Sequence, residues 1–139
     1  MSSRRVLVAT SYAQLGAQLA GLTVALRRKR YYDVGFMKGS AEHIGRDAVF
    51  SGTAYSAPVT MLVTQLWATK RLAAGPDDLA RRVLGVLGAV NVPGYLFERF
   101  GRERLRPRGW DPVETPPIAT SLVLAAAMTV LGHRAQAGR

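Results

Sequence analysis

The chain has 139 residues, about the length of one domain, and its 19 basic and nine acidic residues give a net charge of +10. It contains no cysteine, which excludes disulfide bonds, thiol chemistry and cysteine-based metal sites. Its mean hydropathy of +0.05 is close to zero, so the average composition would suit a soluble protein. The distribution of charge along the chain indicates a different class.

Four windows of the sequence contain no Asp, Glu, Lys or Arg: residues 6–26, 48–69, 83–97 and 115–132. A soluble amphipathic helix carries charged residues on its wet face about once per turn, and none of these windows does. Three of them approach the roughly 20 residues needed to cross a bilayer. The sequence therefore predicts an all-α integral membrane bundle, a single domain over residues 1–139. Its four transmembrane helices are predicted at about 6–26, 48–69, 79–100 and 115–132.

The basic residues cluster at the ends of these windows, as in 27–30 and 99–108. A nucleic-acid-binding domain would instead carry them along one helix face or between aromatic residues. Their placement favours contact with the headgroups of anionic membrane lipids and no nucleic-acid partner. A bias towards Ala, Arg, Gly and Val favours a high-GC bacterial genome, and therefore a bacterial cell membrane.

The first window is predicted to be a retained membrane helix. It is longer than the apolar core of a signal peptide and ends in a basic cluster rather than a cleavage site. Small residues at a spacing of four would let a neighbouring backbone approach closely. The helix-packing candidates here are Gly16 with Ala20, and Ala17 with Gly21.

Polar residues in the first helix share one face, because Ser11, Gln14 and Gln18 lie at positions i, i+3 and i+7. Their polar groups would lack partners in lipid, so this face is expected to point into the bundle. One interpretation is hydrogen bonding that only holds helices together. The alternative is contact with a ligand through Gln14 and Gln18.

The second helix, over 48–69, is predicted to begin after Asp47 as its N-cap. It contains Gly52 and Ser56, another pair of small residues at a spacing of four. Pro58 is expected to kink this helix, because proline removes one backbone hydrogen bond.

The third window has only 15 residues, so the helix must extend to about 79–100 to span a bilayer. Asn91, Tyr95 and Glu98 lie on one stripe of this helix, and Pro93 weakens the backbone beside Asn91. An ionisable residue near a membrane helix is a candidate functional group. The three residues are the predicted ligand-binding site, a small polar pocket with Glu98 at its mouth. The alternative is that Glu98 only marks the end of the helix.

The sequence shows no catalytic constellation, cofactor motif or metal-binding spacing. Glu42, His43 and Asp47 are too few to form a metal site without further ligands. No catalytic residue, cofactor or metal is therefore predicted.

The positive-inside rule assigns orientation from Lys and Arg in the connections. The N-terminus, the 70–82 connection and the tail hold eight such residues, and the other two connections hold eleven. This difference favours the two larger connections on the cytoplasmic side.

Three functional hypotheses follow. The first is a non-enzymatic structural, accessory or lipid-binding bundle. It would pack against another membrane component, as a homo-oligomer or in a larger membrane complex, or bind lipid between helices near its basic ends. The second is a small transporter or binding protein for an apolar or cationic compound that uses Glu98. The third is a small membrane enzyme that acts on a lipid-like substrate.

Overall fold

The computed structural model describes residues 2–33, 38–50, 52–53 and 55–134, and for Val49 and Phe50 only the backbone. The predicted all-α class is confirmed. Extended backbone pairing within the described residues is limited to isolated bridges, such as Tyr31 with Thr53. The helices are α1 (Ser3–Arg28), α2 (Ile44–Phe50), α3 (Val59–Ala74), α4 (Asp78–Phe97), α5 (Arg99–Leu105) and α6 (Thr115–His133), with 3₁₀ turns at Ala41–His43 and Pro107–Gly109.

The four long helices, α1, α3, α4 and α6, pack as a bundle in which α3 and α6 each contact both α1 and α4. At one end, Arg4 donates to the carbonyl oxygen of Leu72 (2.8 Å), and Arg81 donates to that of Gly132. We call this the Arg4 end. At the opposite end Arg28 pairs with Glu114, and Asp33 bonds to Glu98 at the start of α5. We call this the Glu114 end.

The first predicted helix is present and longer than expected. Ser2 caps its N-terminus, and its side-chain oxygen accepts from the backbone N–H of Arg5 at 3.3 Å. At the other end Lys29 adopts a left-handed conformation with φ of 54°. Its N–H bonds to the carbonyl of Ala25, a common way for a helix to stop.

The second predicted helix is wrong in its boundaries. Residues 48–69 do not form one helix, because α2 ends at Phe50 and α3 begins at Val59. Gly52 has φ of +91°, in a region that favours glycine, and Pro58 immediately precedes α3 rather than kinking it. Proline has no N–H to donate, so it is well placed where a helix begins. Asp47 lies within α2 and is not an N-cap.

The third predicted helix is also shorter than expected. Asp77 caps α4, and its side chain accepts from the N–H of Ala80 at 2.9 Å. The helix tolerates Pro93 in its interior but ends at Phe97. Glu98 is extended and begins the separate short helix α5. The fourth predicted helix matches α6 to within one residue.

Within the part of the chain that the structure describes, α6 is the one helix both long enough and apolar enough to cross a membrane. Of the four predicted membrane spans, only the fourth meets both criteria in the described residues.

Close contacts between α4 and α6 were not foreseen from the sequence. A Cβ added to Gly88 would lie 2.7 Å from the carbonyl oxygen of Ala125, and one added to Gly132 would overlap the backbone of Gly85. These small residues let the two helices approach at backbone distance.

Candidate functional site

A polar layer crosses the middle of the bundle between α1 and α3. Ser11 and Thr69 share a hydrogen bond of 2.7 Å, and Gln65 Nε2 donates to Gln14 Oε1 at 2.9 Å. Gln18 Nε2 donates to the same Gln14 oxygen at 2.9 Å. These five residues are buried. Ser11, Gln14 and Gln18 therefore lie on the interior face that their spacing predicts.

The loop before α3 closes this layer on the side of the Glu114 end. The backbone N–H of Ala57 donates to Gln18 Oε1 at 2.8 Å. The carbonyl of Tyr55 lies against Gly21 of α1, where a Cβ would overlap it. The same carbonyl accepts from the Tyr95 hydroxyl of α4 at 3.3 Å. The 55–57 segment therefore joins α1 to α4.

The predicted stripe on α4 is divided between two environments. Asn91 and Tyr95 are buried within the bundle, at 6% and 5% exposure. Asn91 Nδ2 has no hydrogen-bond partner among the described residues. Glu98, beyond the end of α4, contacts a different set of groups. The structure thus places Asn91 and Tyr95 inside the bundle and Glu98 at the junction with α5.

Glu98 is 3% exposed, and backbone amides hold its carboxylate. It accepts from the N–H of Gly101 at 2.6 Å and from that of Asp33 at 3.2 Å. Asp33 in turn pairs with Arg99 at 2.8 Å. Burial raises the pKa of Glu98 to about 7, although these amides oppose the rise. Glu98 therefore caps α5 and fixes the 31–33 segment to it.

A second buried carboxylate, Glu114, is 1% exposed and is not among the site residues predicted from the sequence. It accepts from the Tyr55 hydroxyl and pairs with Arg28, with Arg30 at 3.3 Å and with Arg104 at 3.1 Å. Burial alone would raise the pKa of Glu114, but the hydrogen bonds from Tyr55 and the three arginines outweigh it and lower the pKa to about 2. We call these five residues the Glu114 cluster.

The predicted helix-packing residues fall into different settings. Gly16 and Ala20 are exposed on the outside of α1, and a Cβ at Gly16 would meet no atom within 4 Å. Ala17 is half-buried, and Gly21 is buried against the 55–57 segment. The other predicted pair, Gly52 and Ser56, lies in the loop between α2 and α3 and not in a helix.

No group of three or more His, Asp or Glu side chains that could hold a metal ion occurs in the described part of the chain. Comparison of the chain with protein-family models, with curated proteins and with solved structures found no match. The functional assignment therefore depends on the geometry described above.

Proposed function

We propose that this chain is a non-enzymatic, multi-pass membrane protein in which α1, α4 and α6 each cross the bilayer. The fourth crossing is made by α3, which has only 16 residues, together with the 55–58 segment that precedes it. In this proposal the chain acts as an accessory bundle that binds anionic lipid at its basic ends. The observation that carries the proposal is the distribution of side chains across the bundle. Polar side chains are buried between the long helices, and large apolar side chains cover the outside.

The outer surface of the long helices is apolar through their central turns. Its exposed large side chains include Tyr12, Leu19, Val63, Leu66, Val86, Val90, Val123 and Val130. A soluble bundle would place charged residues here and would bury the apolar face. In lipid the preference is reversed, because buried polar groups can bond to one another across helices.

The modest hydropathy of α1 has a structural explanation in this proposal. Gln14 and Gln18 lower the apolar character of the helix, but both are fully buried. They would therefore meet the interior of the bundle and not the hydrocarbon. In α4, the basic residues Arg81 and Arg82 lie in the first turns after Asp77, where their side chains could reach the headgroup region.

The four basic residues at the end of α1 differ in whether they form ion pairs within the protein. Arg28 and Arg30 are committed to Glu114. Arg27 and Lys29 are exposed and make no ion pair in the described part of the chain. We therefore assign lipid headgroup contact to Arg27 and Lys29. Trp110, which is exposed at the same end, suits an interfacial aromatic residue.

The absence of native cysteine allows a direct test of the membrane topology. Single cysteines at Leu19, Val86 and Val123 would face lipid, and matched cysteines at Arg102 and Arg108, which are exposed at the Glu114 end, would face water. In sealed inside-out vesicles, which expose the predicted cytoplasmic side to the medium, a water-soluble maleimide should label the second group and should label the first only after detergent is added. Rapid labelling of the Val123 cysteine in intact membranes would refute the multi-pass arrangement.

Lipid binding is tested separately by native mass spectrometry of protein released from membranes in mild detergent. We expect retained anionic lipid, and at least a several-fold lower retention in the double variant Arg27→Gln with Lys29→Asn. Asparagine is chosen for position 29 because it tolerates the left-handed conformation found there. The control is Arg102→Gln, an exposed change in α5. Equal loss in both variants would argue against a specific headgroup site.

A further inference from the structure

The segment after α1 and the start of α5 are joined at Glu98, the extended residue between α4 and α5. The Glu98 carboxylate accepts from the backbone N–H of Asp33 at 3.2 Å and from that of Gly101 at 2.6 Å. The backbone N–H of Arg99 in turn donates to the carbonyl oxygen of Asp33 at 2.7 Å. The two segments therefore exchange hydrogen bonds in both directions. We call Asp33, Glu98, Arg99 and Gly101 the Glu98 clasp.

Side chains of the same two segments strengthen the Glu98 clasp. Arg99 Nε lies 2.8 Å from Asp33 Oδ2. The Tyr31 and Phe100 rings meet edge to face, with their centroids 5.3 Å apart, and the Arg99 guanidinium lies 4.2 Å from the centroid of the Phe100 ring. The Arg99 cation is thus committed to Asp33 and Phe100.

Glu98 itself is 3% exposed but makes no ion pair with a described residue. The charged or titratable side chains on the elements that meet there are Arg30, Tyr31, Asp33 and Lys38 from the segment after α1, Tyr95 from the end of α4, and Arg99, Arg102, Glu103 and Arg104 from α5. The cations among them have other partners or face water: Arg30 and Arg104 pair with Glu114, Arg99 pairs with Asp33, and Lys38 and Arg102 are exposed.

A buried carboxylate without a cation favours its protonated form, because the charge has lost its hydration and has no counter-charge. Burial accordingly raises the pKa of Glu98 to about 7. The neighbouring Asp33 carboxylate adds to the rise, whereas the backbone amides of the clasp oppose it. Glu98 therefore changes its charge near neutral pH while it holds two segments together.

The other end of α5 is held independently of Glu98. Arg104 Nε donates to Glu114 Oε1 at 3.1 Å, and the Thr115 hydroxyl donates to the carbonyl oxygen of Arg104 at 2.8 Å. Opening of the Glu98 clasp would therefore free the start of α5 and leave its end attached to α6.

The two charge states of Glu98 favour different arrangements of this junction. The protonated side chain can stay buried at little cost, but the ionised one regains its hydration only by leaving the interior. Its extended backbone lies between two helices and can turn without breaking either of them. We propose that the Glu98 clasp is a pH-sensitive switch, which holds the start of α5 on the 31–33 segment while Glu98 is protonated and releases it when Glu98 ionises.

The direction of the switch depends on the pKa of Glu98 in its two states. The pKa is about 7 in the closed clasp, against an ordinary value of 4.5 in water. The open state is therefore favoured as pH rises, and the ratio of open to closed molecules should increase about 70-fold between pH 5 and 8. The clasp lies beyond the ends of the long helices, so the switch does not depend on the proposed function.

Hydrogen exchange at the backbone amide of Arg99 tests the switch directly. This amide stands in the first turn of α5, where it has no acceptor within the helix, and its partner is the carbonyl of Asp33. The measurement uses NMR on the full chain in mild detergent at several pH values from 5 to 8. After correction for the effect of pH on exchange of a free amide, protection should fall about 70-fold.

Three variants assign the fall in protection to Glu98. In Glu98→Gln the protection of the Arg99 amide should vary less than about threefold across this range, because the titrating group is gone. Asp33→Asn removes the neighbouring negative charge and should make the fall smaller. The control is Glu103→Gln in the same helix, which changes the other carboxylate near Arg99 and should keep the full fall.

Three results would overturn the switch. The first is protection of the Arg99 amide that does not change between pH 5 and 8, and the second is a full fall in Glu98→Gln. The third is exchange that accelerates with urea as steeply as unfolding of the whole protein, since local opening exposes little surface. If Glu98→Gln does not fold, Asp33→Asn and the urea dependence still decide the question.

Discussion

Glu98 and Glu114 lie at the same end of the bundle and are almost equally buried, yet their surroundings favour opposite charge states. Glu98 contacts backbone amides, and burial raises its pKa to about 7. Glu114 contacts a tyrosine and three arginines, and its pKa falls to about 2. Removal from water disfavours the charge of both carboxylates. The number of cationic donors determines which of them keeps its charge.

The two carboxylates should therefore give stability opposite dependences on pH. The folded state favours the protonated form of Glu98, so this contribution is complete below pH about 4.5 and is lost as pH rises through about 7. The folded state favours the charged form of Glu114. Its contribution is present above pH about 4.5 and is lost as pH falls towards 2.

The largest expected effect is that of Glu114→Gln. This change leaves Arg30 and Arg104 without their counter-charge and leaves Arg28 with Asp111 alone. It also leaves the buried Tyr55 hydroxyl without its carboxylate acceptor, and should lower the free energy of unfolding by about 3–5 kcal/mol. The measurement is chemical unfolding in mild detergent at pH 7. The control is Glu103→Gln, because the Glu103 side chain is about half exposed and lies 3.9 Å from its partner Arg99. Equal stability of the two variants would contradict the role given to the Glu114 cluster.

The second prediction concerns the contact between Gly21 of α1 and Tyr55, which positions the Tyr55 side chain beside Glu114. Gly21→Ala would place a methyl group on the Tyr55 carbonyl and should destabilise the protein by roughly 2–3 kcal/mol. Gly16→Ala on the same helix meets only open space and should be neutral or stabilise by up to about 1 kcal/mol. Thermal unfolding of the two variants gives the comparison. Similar melting temperatures would mean that the 55–57 segment can move freely.

The third effect isolates Glu98. Glu98→Gln removes the titrating group and should abolish the loss of stability, about 1–3 kcal/mol, between pH 4.5 and 7. Unfolding curves at several pH values across this window would measure it. Glu98→Gln should leave the low-pH transition of Glu114 unchanged. A variant that keeps the full slope between pH 4.5 and 7 would assign that slope to another group.

The smallest expected effect is Arg104→Lys. Arg104 donates to Glu114 at 3.1 Å and also to the carbonyl of Gly109 at 3.3 Å. Lysine keeps the charge but cannot hold both acceptors in one plane. With Arg28 and Arg30 still in place, the loss should be below about 1 kcal/mol, measured by the same unfolding assay. A loss as large as that of Glu114→Gln would mean that Arg104 dominates the cluster.

Local patterns in the sequence predicted much of the helical structure. The uncharged windows at the two ends of the chain mark α1 and α6. The burial of Ser11, Gln14 and Gln18 follows from spacing on a single helix. These features depend on neighbours within one or two turns, which a single sequence contains.

Features that depend on distant contacts could not be predicted in the same way. Arg28 and Arg30 come 86 and 84 residues before Glu114, and Glu114 itself stands in an ordinary polar connection. The interruption between α2 and α3 near Gly52 was not predicted, because the uncharged window 48–69 suggested one continuous helix. Gly52 and Pro58 both lie within that window. Glu98 was recognised, but its partner Asp33 comes 65 residues earlier.

The sequence separation within the Glu114 cluster has a consequence for biogenesis if the chain is made at a membrane. Arg28 and Arg30 are synthesised long before Glu114, so both are unpaired cations while the first helix is being inserted. At that stage they would count fully towards orientation, because the positive-inside rule reads nearby Lys and Arg. Once α6 is in place, both arginines pair with Glu114. The same two arginines would thus first help to orient the nascent chain and later hold α1 to the start of α6 through their ion pairs with Glu114. Glu114→Gln should therefore destabilise the bundle without reversing its orientation in the membrane.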